Sequence, residues 1–335
     1  MKTILFICPY FGKLPEGHMK LWLLSCEKNP TIDWLILTDD RTSALDYPPN
    51  VKVVYTTLEE IKRQAQEKFD FPISLDRPYK LCDYKPAYGY IFSGYVEGYD
   101  YWGHCDMTDC IFGNLRKFLT DDFLSGADKF FFLGHMTIYR NAEEVNRRIF
   151  VDVKCRKDNL KQLLGSERNW AFDEINPYSI NTIYMENGWF IKREDNMYAD
   201  IVPLEKRFVL SQYDENYNLG KTNGIKHILE WKLGKLTDWM LKGNGELVSR
   251  EIGYVHFQKR KIENCVRDYT HYYIVPNVYI DATESVSIPF VKRHTRFNQY
   301  LYLQYYKLRY KNLKFKIKRI LDFHVSNRIE KNLHD

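Results

Sequence analysis

Two short apolar runs near the start of the chain set the class of fold. Ile4-Leu5-Phe6-Ile7-Cys8 contains no charged side chain and is closed by Pro9. Ile32-Asp33-Trp34-Leu35-Ile36-Leu37 is a second run and ends in Thr38-Asp39-Asp40. A continuous apolar run is what a strand buried on both faces looks like, and such strands belong to parallel sheets with helices on their faces. Residues 18–28 supply the helix, with Met19, Leu21, Trp22, Leu23, Leu24 and Cys26 at roughly helical spacing before Asn29-Pro30. Val51 to Tyr55 reads as a weaker third strand. Thr57 caps a helix through Lys68, with Glu60 three residues on as a capping box. Strand–helix–strand–strand–helix predicts an open α/β sheet whose ligands collect at the carboxyl ends of its strands. Tyr10-Phe11-Gly12 and Asp39-Asp40 fall at two such ends, although paired Asp in a loop more commonly makes a solvated turn.

The chain has 335 residues, enough for one large core or two smaller ones, and its 44% hydrophobic content predicts a packed globular protein. Aromatics reach 16%, including 26 Tyr; they suit a core or flat platforms for bases and sugar rings. Seven cysteines with no C-x-x-C argue against a disulfide framework or zinc knuckle, so reduced thiols and a cytoplasmic setting are expected. The N-terminal run is too short for a signal peptide, and no stretch approaches the ~18 apolar residues of a spanning helix. There is no P-loop, no G-x-G-x-x-G after the first strand, no H-E-x-x-H and no G-x-S-x-G.

The chemistry concentrates in Tyr99-Asp100-Tyr101-Trp102-Gly103-His104-Cys105-Asp106-Met107-Thr108-Asp109-Cys110-Ile111-Phe112-Gly113. An aromatic run rises into two aspartates, as a strand does when it ends at a cleft. Asp106 and Asp109 suit a hard divalent cation, Mn²⁺ or Mg²⁺, and such a cation rides well on a diphosphate. Cys105 and Cys110 flank the acids and read as packing. Just upstream, Lys80, Asp83 and Lys85 crowd among aromatics before a helix that should run to about Gly94; they are a surface charge cluster or a phosphate contact. Lys129 to Leu133 is another buried strand with His135 at its end, and 140–164 reads as helical. Trp170-Ala171-Phe172-Asp173-Glu174 couples aromatics to paired acids. Ile183 to Ile191 and Phe208 to Tyr213 read as short strands, and Lys226 to Lys232 with Lys235 to Leu241 as a hairpin. Gly253-Tyr254-Val255-His256-Phe257-Gln258-Lys259-Arg260 is a strand ending in a histidine and cations. His256 is a core histidine or a nitrogen ligand, which would favour Mn²⁺. Lys259 and Arg260 would then neutralise charge on a leaving diphosphate.

With these residues, the chain resembles a nucleotide-sugar glycosyltransferase of the GT-A fold, over roughly residues 1 to 265. More narrowly it resembles the bacterial enzymes that build capsule and lipopolysaccharide chains. The aspartate block matches the D-x-D site, there followed by apolar residues and a glycine. Lys80 to Gly89 is similar to the segment that precedes D-x-D and contacts nucleotide. Tyr254 to Arg260 is similar to the late histidine-plus-cation motif of family 8 galactosyltransferases. One departure stands out: the acids are spaced D-x-x-D, with Thr108 where a strict D-x-D begun at Asp106 places its second acid.

The resemblance implies a GT-A (Rossmann-like) mixed open sheet with flanking helices over residues 1–288. It implies transfer of a hexose from a nucleotide-diphosphate donor, a UDP-sugar, to a saccharide or lipid-linked acceptor. Tyr10, Phe11 and Asp39 would hold base and ribose. Lys80, Asp83 and Lys85 would contact nucleotide or donor sugar. Asp106, Asp109 and His256 would hold the metal, with Asp106 alternatively on the ribose, and Lys259 and Arg260 the diphosphate. Asp173 or Glu174 would face the acceptor, as general base in an inverting enzyme. The late histidine leans toward the retaining group.

Residues 289–335 form a basic tail. From Ser285 to Leu321 there is no acid, while ten Lys and Arg are present, so the rest of the chain is mildly acidic despite the net +5. Tyr, Leu and Ile interleaved with these cations predict an amphipathic helix or pair of helices. It either lies on an anionic membrane surface, at the inner face of the cell membrane, or packs on the body. Nucleic acid is not an expected partner. Two competing functions share these features: a non-catalytic membrane-surface scaffold with a decayed fold of this type, and a nucleotidyl- or phosphotransferase on a similar sheet.

Overall fold

The computed structural model describes residues 1–258, 260–296, 303, 305–314 and 317. The two apolar runs are adjacent parallel strands: β1 (Ile4–Tyr10) pairs with β2 (Asp33–Thr38) up to Tyr10↔Thr38, and β2 with β3 (Val51–Tyr55). On its other side β1 pairs in parallel with β4 (Tyr101–Cys105), the strand that carries the aspartate block. β5 (Lys129–Leu133), β6 (Met136–Arg140) and β7 (Ile191–Lys192) complete a seven-stranded sheet of order β3-β2-β1-β4-β6-β5-β7. Only β6 runs against the others. The fold class is the expected mixed α/β open sheet with flanking helices. Its polarity matters for chemistry: Tyr10, Asp39, Asp106 and the Gly134-His135 turn all lie at one edge, where β1, β2, β4 and β5 end.

Helix α1 (Glu16–Glu27) buries Met19, Leu21, Trp22, Leu23 and Cys26, and α2 (Leu58–Gln66) buries Ile61 and Ala65. Thr57 caps α2 by accepting from the Glu60 amide at 3.1 Å, but the Glu60 carboxylate turns to Arg63 and Gln64, so only half of the capping box forms. The predicted helix over 140–164 is broken into Glu143–Asn146, a 3-10 turn Arg147–Phe150, and Asn159–Leu164. The Asp152 carboxylate accepts from the Asp158 and Asn159 amides and turns the chain between the pieces. The predicted strand over 183–191 starts inside helix Ile180–Glu186, and only Ile191 falls in a strand: Ile180, Ile183 and Tyr184 are buried at helical spacing, and Ser179 caps the helix. Of the expected strand over 208–213, Ser211–Tyr213 forms a paired strand, while Phe208 and Leu210 make single bridges to His227 and Ile201.

A second, six-stranded sheet is built on the predicted hairpin, Lys226–Lys232 with Lys235–Leu241. Leu233 (φ 48°) and Gly234 (φ 88°) make its two-residue turn, both left-handed as such hairpins require. Ile228, Leu241, Tyr273 and Val275 of this sheet form a satellite core with Phe290 and Val291. Helix Ile288–His294 therefore packs on the body across the expected division at 288/289. Beyond it, residues 305–314 are helical. No helix among the described residues is long and apolar enough to cross a membrane.

A small three-stranded ladder joins the two large sheets. Cys110–Phe112 pairs antiparallel with Tyr254–His256, which pairs in parallel with Tyr198–Asp200. Phe112 anchors it to the main core, stacked on Trp34 at 5.6 Å and tilted against Trp22 at 6.1 Å. Asn29 couples α1 to the same ladder, donating to the Ser25 and Gly113 carbonyls and accepting from the Leu115 amide.

The helical segment ahead of β4 meets the sheet through a glycine. Trp102 stacks on Tyr139 (centroids 4.6 Å apart) and donates from Nε1 to Asn146 Oδ1 at 2.7 Å, and a Cβ on Gly89 would overlap the indole. Gly89→Ala is therefore expected to lower unfolding free energy by about 1–3 kcal/mol through overpacking. An unchanged urea midpoint would show that the indole yields.

Candidate active site

The Asp106 carboxylate marks the carboxyl end of β4. Its Oδ1 accepts from Lys85 Nζ at 2.7 Å, and its Oδ2 lies 3.8 Å from His256 Nε2. The same Lys85 ammonium reaches Asp173 Oδ2 at 3.2 Å and donates to the Gly134 carbonyl at 2.8 Å. Burial would discharge Lys85, but the flanking Asp106 and Asp173 carboxylates hold its pKa well above normal. Burial likewise opposes the Asp106 charge, yet Lys85 and His256 hold it down at about 2. Asp173 is raised by burial, and Glu174 is pushed up to about 8 by burial and the adjoining Asp173 charge. Glycine is required at 134, because a Cβ there would overlap the Asp173 carboxylate and lie 2.8 Å from Glu174 Oε1.

The ladder register places His256 beside Cys110 on one side and Asp200 on the other. Asp200 Oδ1 accepts from His256 Nδ1 at 2.8 Å, and Gln258 Nε2 donates to both Asp200 oxygens. Burial alone would lower the His256 pKa, but the Asp200 bond reverses the sign and raises it. His135, in the β5–β6 turn, stacks on His256 with ring centroids 4.2 Å apart. Its Nδ1 lies 3.2 Å from Tyr254 Oη, and its backbone carbonyl accepts from the Asp106 amide at 3.0 Å. Burial and the neighbouring His256 push His135 down to about 3, so it is a neutral imidazole.

The donor set fits a divalent metal ion. His135, Asp200 and His256 each bring one ligand-capable atom within 4.8 Å of the others, and Asp106 borders His256. A carboxylate on the Nδ1 of His256 is the usual outer partner of a metal-bound imidazole.

Other predicted site residues have varied settings. The Asp109 carbonyl accepts from the Phe257 amide at 2.7 Å, and the Asp109 charge is felt by both His256 and Tyr10. Tyr10 and Phe11 form the loop after β1; Asp39 fastens it by accepting from the Gly12 amide at 2.7 Å, and Asp40 by accepting from the Leu14 amide at 2.9 Å. Gly12 (φ 108°) makes the turn. Lys80 and Asp83 are buried inside the fold, and their polar atoms serve it. Lys80 Nζ donates to Asp83 Oδ2 and to the Leu163 and Arg168 carbonyls, which uses all three ammonium hydrogens. Asp83 also accepts from the Trp170 and Phe172 amides, so the pair pins the loop leading to Asp173. Arg260 is buried and donates to the Val202, Glu205 and Lys206 carbonyls and to Asn277 Oδ1. Lys259 lies outside the described residues.

Gly134, His135, Asp200 and Gln258 went unassigned in the sequence. Gly134-His135 sits at a strand end and so carried a positional signal. Asp200 carried almost none, because Tyr198–Asp200 is only three residues long. An open cavity of about 490 Å³, lined by Lys68, Tyr90, Glu97, Asn141 and Arg147 among others, includes none of these site residues.

Lys80→Met would strand the Asp83 carboxylate in the interior. The expected cost is about 3–5 kcal/mol of stability, read as a fall in urea midpoint. A stable variant with weakened ligand binding would instead place Lys80 in contact with ligand.

No curated protein matches the chain. Among solved structures it is similar to mouse xyloside xylosyltransferase 1 in its apo form, at 9% identity and a TM-score of 0.35, over 60% of this chain and 88% of that one. A family model matches residues 6–283, which include every candidate site residue, and the chain belongs to that family, described as a family of unknown function (DUF6625).

Proposed function

We propose that this chain transfers a sugar from a nucleotide-diphosphate donor, a UDP-sugar, to a saccharide or lipid-linked acceptor in surface polysaccharide synthesis. The observation that carries the proposal is the convergence of Lys85, Asp106 and His256 from three distant segments at the carboxyl edge of the sheet. Asp173 stands across the same lysine. Asp106, Asp109 and His256 would hold Mn²⁺ or Mg²⁺, which when bound neutralises charge on the departing diphosphate.

In the reaction, the bond from the anomeric carbon to the diphosphate oxygen breaks and its electron pair leaves with the diphosphate. The acceptor oxygen bonds to that carbon, and its proton passes to a carboxylate. Asp173 and Glu174 are the carboxylates at hand, in one buried pair whose raised pKa values suit them to take a proton. Lys85 holds Asp106 and Asp173 in fixed relation. Tyr10, Phe11 and Asp39 would receive base and ribose, and Lys259 the diphosphate. Lys80, Asp83 and Arg260 act as positioning residues, through the 163–172 and 202–206 loops that they bind. The late histidine favours the retaining course, whereas a base at Asp173 or Glu174 belongs to the inverting one, and a pH profile separates the two. Leu303, Tyr306, Tyr310, Leu313 and Ile317 are exposed along the basic tail, which suits an anionic membrane surface carrying the acceptor.

Titration calorimetry with UDP and Mn²⁺ is expected to give saturable heat for the wild-type chain, with affinity lower by about 100-fold in Asp106→Asn. No heat for wild type sinks the reading. In a donor screen the expected product is UDP. Release of UMP or pyrophosphate would indicate nucleotidyl transfer, and intact donors throughout a non-catalytic surface binder.

A pH profile tests the base. Glu174 takes a proton only as the carboxylate, and its pKa is pushed up to about 8. The expected kcat/KM therefore rises with pH to a plateau above that value, and the rise disappears in Glu174→Gln. An identical profile in the variant would assign the proton to another group.

A further inference from the structure

His135 is a buried imidazole with an unexplained polar atom. It is only 4% exposed, and its Nε2 makes no hydrogen bond among the described residues. Leaving such an atom unsatisfied costs about 1–3 kcal/mol, so a native fold seldom keeps one without a use.

The two stacked rings are held alike. His256 is oriented through Nδ1 by Asp200 at 2.8 Å, and His135 through Nδ1 by the Tyr254 hydroxyl at 3.2 Å. In the tautomer that carries its hydrogen on Nδ1, each ring keeps a lone pair on Nε2. That is how proteins prepare imidazoles for a metal. Asp106 is tied to both residues: its amide donates to the His135 backbone carbonyl, and its Oδ2 lies 3.8 Å from the His256 ring at Nε2. The sequence supplies a reason for an extra ligand, since Thr108 stands where a strict D-x-D begun at Asp106 would offer a second carboxylate.

We propose that His135, through Nε2, is a further protein ligand to the divalent ion held by Asp106 and His256, so that the site presents two imidazoles. This rests on the metal-dependent reading above. Two nitrogen donors move the preference away from Mg²⁺, a hard ion that takes oxygen and keeps its water, toward Mn²⁺, Co²⁺ or Zn²⁺.

The test uses Mn²⁺ alone with the full chain, without nucleotide. Pulsed electron paramagnetic resonance of the bound ion counts directly coordinated imidazoles: two are expected in wild type, and one would overturn the proposal. His135→Phe keeps a ring on His256 but removes the donor. It is expected to bind Mn²⁺ about 10–100-fold more weakly and to let excess Mg²⁺ displace it, with His256→Phe as the parallel control. Circular dichroism and a metal-free thermal melt establish that the variants are folded, and the wild-type imidazole count stands whether or not they are. Equal Mn²⁺ affinity in folded His135→Phe, with loss in His256→Phe, overturns the role of His135 alone and leaves metal dependence standing. No Mn²⁺ binding by wild type overturns both.

Discussion

The candidate site exists because three short strands that are far apart in the chain form one ladder. Cys110–Phe112, Tyr254–His256 and Tyr198–Asp200 are three residues each, too short to be stable as an isolated sheet. They are held from outside. Phe112 is locked between Trp22 and Trp34, Asn29 bonds across to Gly113 and Leu115, and the Phe257 amide closes on the Asp109 carbonyl. This ladder fuses the six-stranded sheet to the carboxyl edge of the main sheet. It carries His256 from late in the chain to Asp106 near its middle.

Electrostatics then decides what the edge can do. Acids and imidazoles gather with little water, and burial penalises every charge among them. The fold answers with a deeply placed cation, Lys85, between Asp106 and Asp173, and with Asp200 behind His256. Asp106, bonded to Lys85 and facing His256, is held ionised, whereas burial pushes Asp173 and Glu174 toward their neutral forms. Two neighbouring sets of groups thus acquire opposite characters: an electron-rich pocket suited to a cation, and an acid pair able to exchange a proton.

The two lysines of the Lys80–Lys85 segment show how close function and scaffold lie. They are five residues apart in one 3-10 stretch that contains Pro78 and Pro86. Lys80 points into the body and spends its hydrogens on Asp83 and two carbonyls of the 163–168 region. Lys85 points to the strand ends. Both bind an aspartate, but one pair is sealed in the interior while Asp106 keeps part of its surface exposed. Composition and spacing treat these pairs as equals, and only their depth separates them.

The sequence by itself determined the parallel sheet, because Ile4–Cys8 and Trp34–Leu37 are apolar on both faces and suit strands covered on both sides. It also determined that Asp106 and Asp109 end a central strand, and that the Leu233-Gly234 hairpin turns where it does. Local pattern failed where long-range contacts choose the outcome. Residues 180–186 became a helix because packing favours Ile180, Ile183 and Tyr184 on one face. Residues 140–164 broke where Asp152 folds back on the Asp158 and Asn159 amides. Tertiary structure alone decided that His135 stacks on His256, that Asp200 stands behind it, and that Lys80 is sealed away from the site. These are contacts between residues tens to more than a hundred positions apart. Their distances follow from how sheets pack, which no local spacing of side chains encodes.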